Sequence, residues 1–187
     1  ARPLLAEAAD DDLWPAYDLI DVPAYFRASR MGLLYRRREY MTLMTSRGCT
    51  HGCRFCHEIF GRSWRPQSAD RVVEELTFLT RKHGIREILM ADDLFNGSRT
   101  RTLAICEGIL GAKLDLTLCC ANGLRADRLG DDEIEAMRAA GTWRICVAPE
   151  TATPRLQELS GKRIDLERVQ HVIRECVRLG IFTSGFF

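Results

Sequence analysis

The sequence predicts an α/β protein built on a parallel sheet. Four glycines, Gly84, Gly111, Gly141 and Gly180, each close a stretch whose apolar residues recur at helical spacing, and each stands just before a short apolar run. Five such runs read as strands: Met41 to Thr45, Ile85 to Met90, Leu114 to Cys119, Trp143 to Val147 and Ile181 to Phe187. Strands alternating with helices at this interval indicate right-handed βαβ units sharing one parallel sheet. The pattern fits an open doubly wound sheet or part of a barrel, and alone does not separate them.

Residues 1 to 40 read as a connector. Asp10 to Asp12 and Pro15 interrupt any regular element, and Tyr17-Asp18-Leu19-Ile20-Asp21 offers one short amphipathic turn. The basic cluster Arg36-Arg37-Arg38-Glu39 reads as a solvated loop rim before the first strand. A helix begins after Pro66-Gln67, where Ser68 can cap the free amides and Asp70 suits the first turn. Val72, Val73, Leu76 and Leu79 give it one apolar face, and it ends at Lys82-His83-Gly84. Thr100 to Leu110, Asp131 to Ala140 and Asp165 to Leu179 are the next three helices, stopped at Gly111, Gly141 and Gly180.

The 187 residues suggest one domain, and a 46% hydrophobic content supports a real core. A formal net charge of +1 gives no electrostatic footprint for nucleic acid. No apolar run approaches the ~18 residues of a membrane span. The chain starts without methionine and stops within a strand-like run, so a fragment of a longer protein is expected. Eight cysteines in a chain of ordinary composition point to a reducing cytoplasm rather than a secreted disulfide scaffold.

In either sheet architecture ligands gather at the C-terminal strand ends. There the sequence places a cysteine loop after the first strand, Asp92-Asp93 after the second, Asn122-Gly123-Leu124-Arg125 after the third and Pro149-Glu150 after the fourth. The cysteine loop, Cys49-Thr50-His51-Gly52-Cys53-Arg54-Phe55-Cys56, is the chemical signal. Three thiolates within eight residues can wrap a soft metal centre. Structural zinc closes with four protein ligands, and an electron-transfer cluster usually takes four cysteines. A zinc site completed by His51 or His57 and an iron–sulfur electron carrier stay as alternatives of another class. Arg62 and Arg65 read as braces for the loop. Cys106, Cys146 and Cys176 read as core residues, and so do Cys119 and Cys120, one facing inward and the other outward. His83 and His171 read as helix-surface residues.

The C-x3-C-x2-C spacing, with Phe55 before the third cysteine, resembles the radical SAM superfamily. The resemblance extends from about residue 10 to residue 187. It implies a partial (β/α)6 TIM-like barrel of the radical SAM type, with five strands and four helices in this chain. It implies that Cys49, Cys53 and Cys56 hold a [4Fe–4S] cluster whose open iron takes S-adenosylmethionine, with Phe55 beside the adenine. Asp92 and Asp93 stand where the family contacts the amino group of that cofactor. Glu150, in Ala148-Pro149-Glu150-Thr151-Ala152, looks like the segment that approaches its ribose, and Arg125 suits its carboxylate or an acidic substrate group, unless it pairs with Asp127.

Tyr17 to Asp21, Thr45 to Cys49, Asp92 to Asn96, Asn122 to Asp127 and Gly185 to Phe187 look like the cobalamin-binding branch of that superfamily. The branch implies an N-terminal cobalamin domain before the connector of residues 1 to 40, then a radical SAM core over residues 41 to 187, truncated at its C-terminus. It further implies methylation of an unactivated carbon in a small molecule, lipid or natural product. An oxidative cyclase or other radical rearrangement enzyme is the alternative, and a flavodoxin or ferredoxin is the expected low-potential electron donor.

Overall fold

The computed structural model describes residues 14–27 and 34–187. Asp10 to Asp12 lie outside them. The described connector carries a 3-10 turn at Tyr17–Leu19, as the amphipathic pattern predicts, and a short helix α1 at Val22–Arg27 that it does not. Tyr17 is buried and donates its hydroxyl to Glu75 at 2.7 Å, which fastens the connector to the first core helix.

The five expected strands are present as β1 (Tyr40–Leu43), β4 (Glu87–Met90), β5 (Thr117–Leu124), β6 (Thr142–Val147) and β7 (Phe182–Gly185). A separate antiparallel pair, β2 (Ser46–Arg47) and β3 (Arg65–Pro66), frames the cysteine loop. The main sheet is parallel throughout, in the order β1-β4-β5-β6-β7. A doubly wound sheet reverses its strand order at a switch point. Here every crossover steps to the next strand in one direction, so right-handed connections keep all helices on one face and leave the other as a lumen. The topology is that of a partial barrel.

The helix layer consists of α2 (Ala69–His83), α3 (Arg99–Gly111), α4 (Asp131–Ala139), α5 (Pro154–Ser160) and α6 (Leu166–Arg178). Its core joins Val72, Leu76 and Leu79 of α2 to Ile88 of β4, Ile105 of α3, Ile145 of β6 and Val172 of α6. Ser68 caps α2 by accepting from Arg71 N, and Gly84 ends it at φ +68°, as expected. Asp165 caps α6 in the same way.

Three expectations need correction. Gly111 does not stop α3 in a left-handed turn; it is the last helical residue, and the positive φ falls on Lys113 at +52°. Strand β5 does not end at Cys119 but runs to Leu124, through a register shift against β6 between Cys120 and Leu124. Such a bulge bends a strand and re-aims its side chains, and it carries Asn122 and Gly123 onto the rim. Finally α5 was not expected, because seven residues give too few turns for a helical period to be read. Cys119 and Cys120 point to opposite faces but are both buried, since the lumen side is covered too.

Two alanine substitutions distinguish the glycines. Gly141 has φ +99°, and a Cβ there would lie 2.3 Å from the Leu116 carbonyl oxygen, so Gly141→Ala should lower stability by about 2 kcal/mol or more. Gly111 has open space around it within a helix, so Gly111→Ala should raise stability by about 0.5–1 kcal/mol. Denaturant unfolding of the two variants measures both, and a destabilised Gly111→Ala would restore the glycine stop.

Candidate active site at the strand ends

The cysteine loop leaves β2 at Gly48, whose φ of +79° and tight surroundings admit no side chain: a Cβ would stand 2.3 Å from Ser63 O. The loop is tied at several points. Cys56 N donates to Cys53 O at 3.2 Å, Arg54 N to Ser160 O at the end of α5 at 2.8 Å, and the Arg62 guanidinium to His51 O at 2.5 Å. Arg62 also pairs with Glu58, and Arg65 donates to Phe60 O at 3.2 Å, so both arginines brace the loop as expected.

Cys49, Cys53 and Cys56 are free thiols, respectively half-buried, buried and exposed. Burial pushes the Cys49 thiol up, and the neighbouring Cys53, Cys56 and Asp93 add to this by repulsion. Soft, mutually repelling donors of this kind are relieved by a positively charged metal centre. Among the described residues, no group of three or more His, Cys, Asp and Glu side chains gathers around a point as a single ion would require. His57, one offered fourth ligand for zinc, turns instead to Asp93, with Nε2 3.4 Å from Oδ1.

One cavity opens between this loop and the strand ends. Phe55, Asp93, Arg125 and Glu150 line it with the three cysteines, so the structure brings together seven of the eight residues singled out from sequence. Asp92 is the exception and does not line the cavity. Its side chain is 2% exposed and accepts from Thr45 N at 3.1 Å, Thr45 Oγ1 at 2.8 Å and Ser46 Oγ at 2.5 Å. Burial pushes its carboxyl up, against the pull of these donors and of Arg101. With its lone pairs occupied beneath the rim, this carboxylate braces the start of the cysteine loop.

Arg125 is engaged as well. It forms a bidentate pair with Asp127, at 2.9 and 2.7 Å, and donates to Lys162 O at 3.2 Å. Its backbone is clasped by Asn96, which donates Nδ2 to Arg125 O at 2.9 Å and accepts from Arg125 N at 3.2 Å. Of its five N–H donors, these contacts leave a minority for a ligand. Glu150 holds φ +62°, a left-handed conformation unusual for a residue with a side chain. Its N donates to Phe186 O at 3.0 Å, and buried Gln157 donates to Pro149 O and Thr151 O on either side, at 2.7 and 2.6 Å.

Sequence reasoning missed Lys162. Its ammonium lies 2.9 Å from Glu150 Oε1 and 5.8 Å from the Phe55 ring centroid, joining two expected residues inside the cavity. Asn122 was read only as part of a motif; it donates to Ala91 O and Asp92 O, at 3.2 and 3.1 Å, and so links the rims of β4 and β5. The Thr153-Pro154 start and Gly161 stop, at φ +71°, were the available signal for α5, which delivers Lys162.

With this geometry in place, comparison with known proteins gives the class. Residues 43–187 match the model of the Radical SAM superfamily, and the chain belongs to that superfamily. It is 30% identical over its whole length to an uncharacterized methyltransferase of Pyrococcus horikoshii, and 28% to cytidylyl-2-hydroxyethylphosphonate methyltransferase of Streptomyces wedmorensis. It spans only 39% and 36% of those relatives' lengths. Anaerobic magnesium-protoporphyrin IX monomethyl ester cyclases also match, that of Synechocystis at 25% identity over 87% of this chain and 31% of its own. Among solved structures, the cobalamin-dependent S-adenosylmethionine radical enzyme OxsB with aqua-cobalamin bound superposes with TM-score 0.68 and 28% identity, covering 77% of this chain and 23% of that one. Among the described residues no helix is long and apolar enough to cross a membrane.

Two measurements test the site. In cluster-free protein at neutral pH, mass-spectrometric mapping of alkylation should find Cys56 modified first, then Cys49. Cys106 and Cys176, buried and with thiols pushed up to about 12, should stay unmodified, and labelling of either ahead of Cys56 would contradict this fold. Asp92→Ala should cost about 3 kcal/mol in unfolding experiments, because Thr45 N and the Ser46 hydroxyl lose their acceptor. Asp93→Asn should leave stability within about 0.5 kcal/mol.

Proposed function

We propose that the chain is the cofactor-binding part of a radical SAM enzyme that methylates an unactivated carbon of a small molecule or lipid. The observation that carries the reading is the single cavity joining three free cysteines to Phe55, Asp93, Glu150 and Lys162. Cys49, Cys53 and Cys56 would hold a [4Fe–4S] cluster, and their number leaves one iron for S-adenosylmethionine. When bound, that pair supplies a 5′-deoxyadenosyl radical by reductive cleavage of the sulfonium.

The chain's own residues position and shield. Phe55 is 56% exposed and offers a ring face at the cavity mouth, which suits an adenine. Asp93, held against His57, presents a carboxylate to an ammonium group. Glu150 and Lys162 form a pair that ribose hydroxyls or a carboxylate could enter, since each partner can exchange one neutralising contact for another. Arg125, fixed by Asp127, lines the same cavity with the part of its guanidinium that this pair leaves over. Leu94, Leu124, Ala148 and Phe186 give the cavity apolar walls that exclude water.

The methyltransferase-named relatives support methyl transfer, with cobalamin contributed by a domain that residues 1–40 would connect to the core of residues 41–187 in the full-length protein. The cyclase relatives support the second reading, oxidative cyclisation or another radical rearrangement on the same site. Either requires a low-potential electron donor such as flavodoxin or ferredoxin, and a reducing cytoplasm.

The test is anaerobic EPR of the reduced, iron-reconstituted full-length protein. A [4Fe–4S]+ signal that changes when S-adenosylmethionine is added is expected, together with release of 5′-deoxyadenosine. Serine at Cys49, Cys53 or Cys56 should abolish both. Glu150→Gln should weaken S-adenosylmethionine binding by about tenfold, the loss of one charged contact, with the cluster signal intact. A cluster signal blind to S-adenosylmethionine would support an electron carrier instead, and stoichiometric zinc without iron would end the radical reading.

A further inference from the structure

Below the cavity, on the lumen side of the sheet, stands a cation with no counter-charge within ion-pair distance among the described residues. Ile145 and Val147 of β6 turn into the helix-side core, so Cys146 and Arg144 turn to the lumen. A register shift sets Thr142 and Arg144 against consecutive residues Leu118 and Cys119 of β5. Trp143 is the extra residue, and the bulge lets it face the lumen beside Arg144. There it donates Nε1 to Glu87 at 3.0 Å.

The neighbouring groups do not neutralise Arg144. Glu87, the lumen carboxylate of β4, accepts from Trp143 on one oxygen and from Arg36 N and Arg37 N on the other, at 2.8 and 2.6 Å. Arg144 Nη2 reaches Ser184 Oγ at a long 3.3 Å, and the guanidinium also stands near the Cys119 thiol, with which it hydrogen-bonds, and the Phe182 ring at 6.0 Å. All three are neutral, and the Cys119 thiol is pushed up to about 11 by burial. Arg144 Nε is fully enclosed and has no hydrogen-bond partner, and among the described residues no carboxylate lies within ion-pair distance of this guanidinium. A buried donor on a charged group is costly to leave unmade.

The location gives the unmet donors a direction. Arg144 stands three residues before the end of β6, about 10 Å of strand rise below the rim. Cys146 lies between it and the Glu150–Lys162 pair of the cavity. A group seated against the lumen face of β6 beneath the cofactor cavity would lie beside the guanidinium fork. We infer that Arg144 receives an oxyanion group of the substrate, a carboxylate, phosphate or phosphonate, and thereby sets which carbon faces the cavity above. The planar fork offers paired donors to such a group. The inference rests on the proposed function, which places the radical source in that cavity.

The test is calorimetric titration of the full-length protein with inorganic phosphate, methylphosphonate and acetate, the tetrahedral and planar probes separating the anion classes. The wild type is expected to bind at least one saturably. Arg144→Gln should weaken that binding about tenfold or more, with melting temperature, iron content and the S-adenosylmethionine-induced EPR change preserved. Arg144→Lys, which keeps the charge without the fork, should fall between, and it serves alone if the glutamine variant does not fold. Three outcomes overturn the inference: no probe binds the wild type, all bind the variants equally well, or Arg144→Gln lowers the melting temperature of a protein that binds no anion. The last would mean that an acid elsewhere in the full-length chain already pairs with Arg144. Absence of the cluster or of its response in the wild type would count against the proposed function, and is read in a different signal from the anion titration.

Discussion

The geometry of the site hangs on the clamp around Thr45. Its amide and hydroxyl donate to the Asp92 carboxylate, while its carbonyl accepts from Arg101 Nη2 at 2.8 Å and from Gln67 N at 2.9 Å. Asp92 follows β4, Arg101 lies on α3, and Gln67 leads into α2, so three separate elements hold one residue. Four residues later the chain reaches Cys49. A buried charge is tolerable only when its hydrogen bonds are complete. Removing one partner leaves the others enclosed and unmet, which makes the clamp all-or-none. Consequently the cysteine loop starts from a fixed point even though Cys56 and Phe55 are exposed.

This arrangement separates Asp92 from Asp93, which the sequence treats alike. Two adjacent aspartates after a strand look equivalent as residue types, but a strand end sends successive side chains to opposite sides. Asp92 turns under the rim and Asp93 turns over it. Nothing in the pair says which is which; the register of β4 against β1, with Leu43 opposite Met90, decides. The cysteines were legible because their role is set by spacing within one loop and needs no tertiary information. Lys162 was illegible for the opposite reason. It meets Glu150 and Phe55 only because a short helix of undetectable period brings the chain back across the cavity.

The sheet shows the same division. Gly84, Gly141 and Gly180 were read correctly as stops because a left-handed residue after a helix is a local requirement, and all three have positive φ. Gly111 has the same sequence context but lets the helix absorb it, and Lys113 makes the turn instead. The end of β5 was hidden by Asn122-Gly123, which reads as a turn. The structure uses this dipeptide inside the strand, where Gly123 at φ +92° accommodates the bulge. Local turn chemistry and a functional bulge look alike in sequence, and only the pairing with β6 separates them.

The barrel architecture, ambiguous in sequence, follows from strand order, and it also explains the uneven satisfaction of polar groups. At the base, Glu87 is saturated by Trp143 and the backbone of Arg36 and Arg37, so the connector seals that end. At the rim and in the lumen the pairing is looser. Glu150 keeps a left-handed backbone, a cost of about 1 kcal/mol or more, sustained by Gln157 and Phe186, and its charged partner among the described residues is Lys162, on a long flexible side chain. Pairs that can be exchanged cheaply belong where ligands must enter, and saturated ones where the fold must not yield. Glu87, Arg144 and the Glu150–Lys162 pair thus stand in order from the base of the sheet to its rim, with the unmet Arg144 donor between a saturated carboxylate and an exchangeable pair.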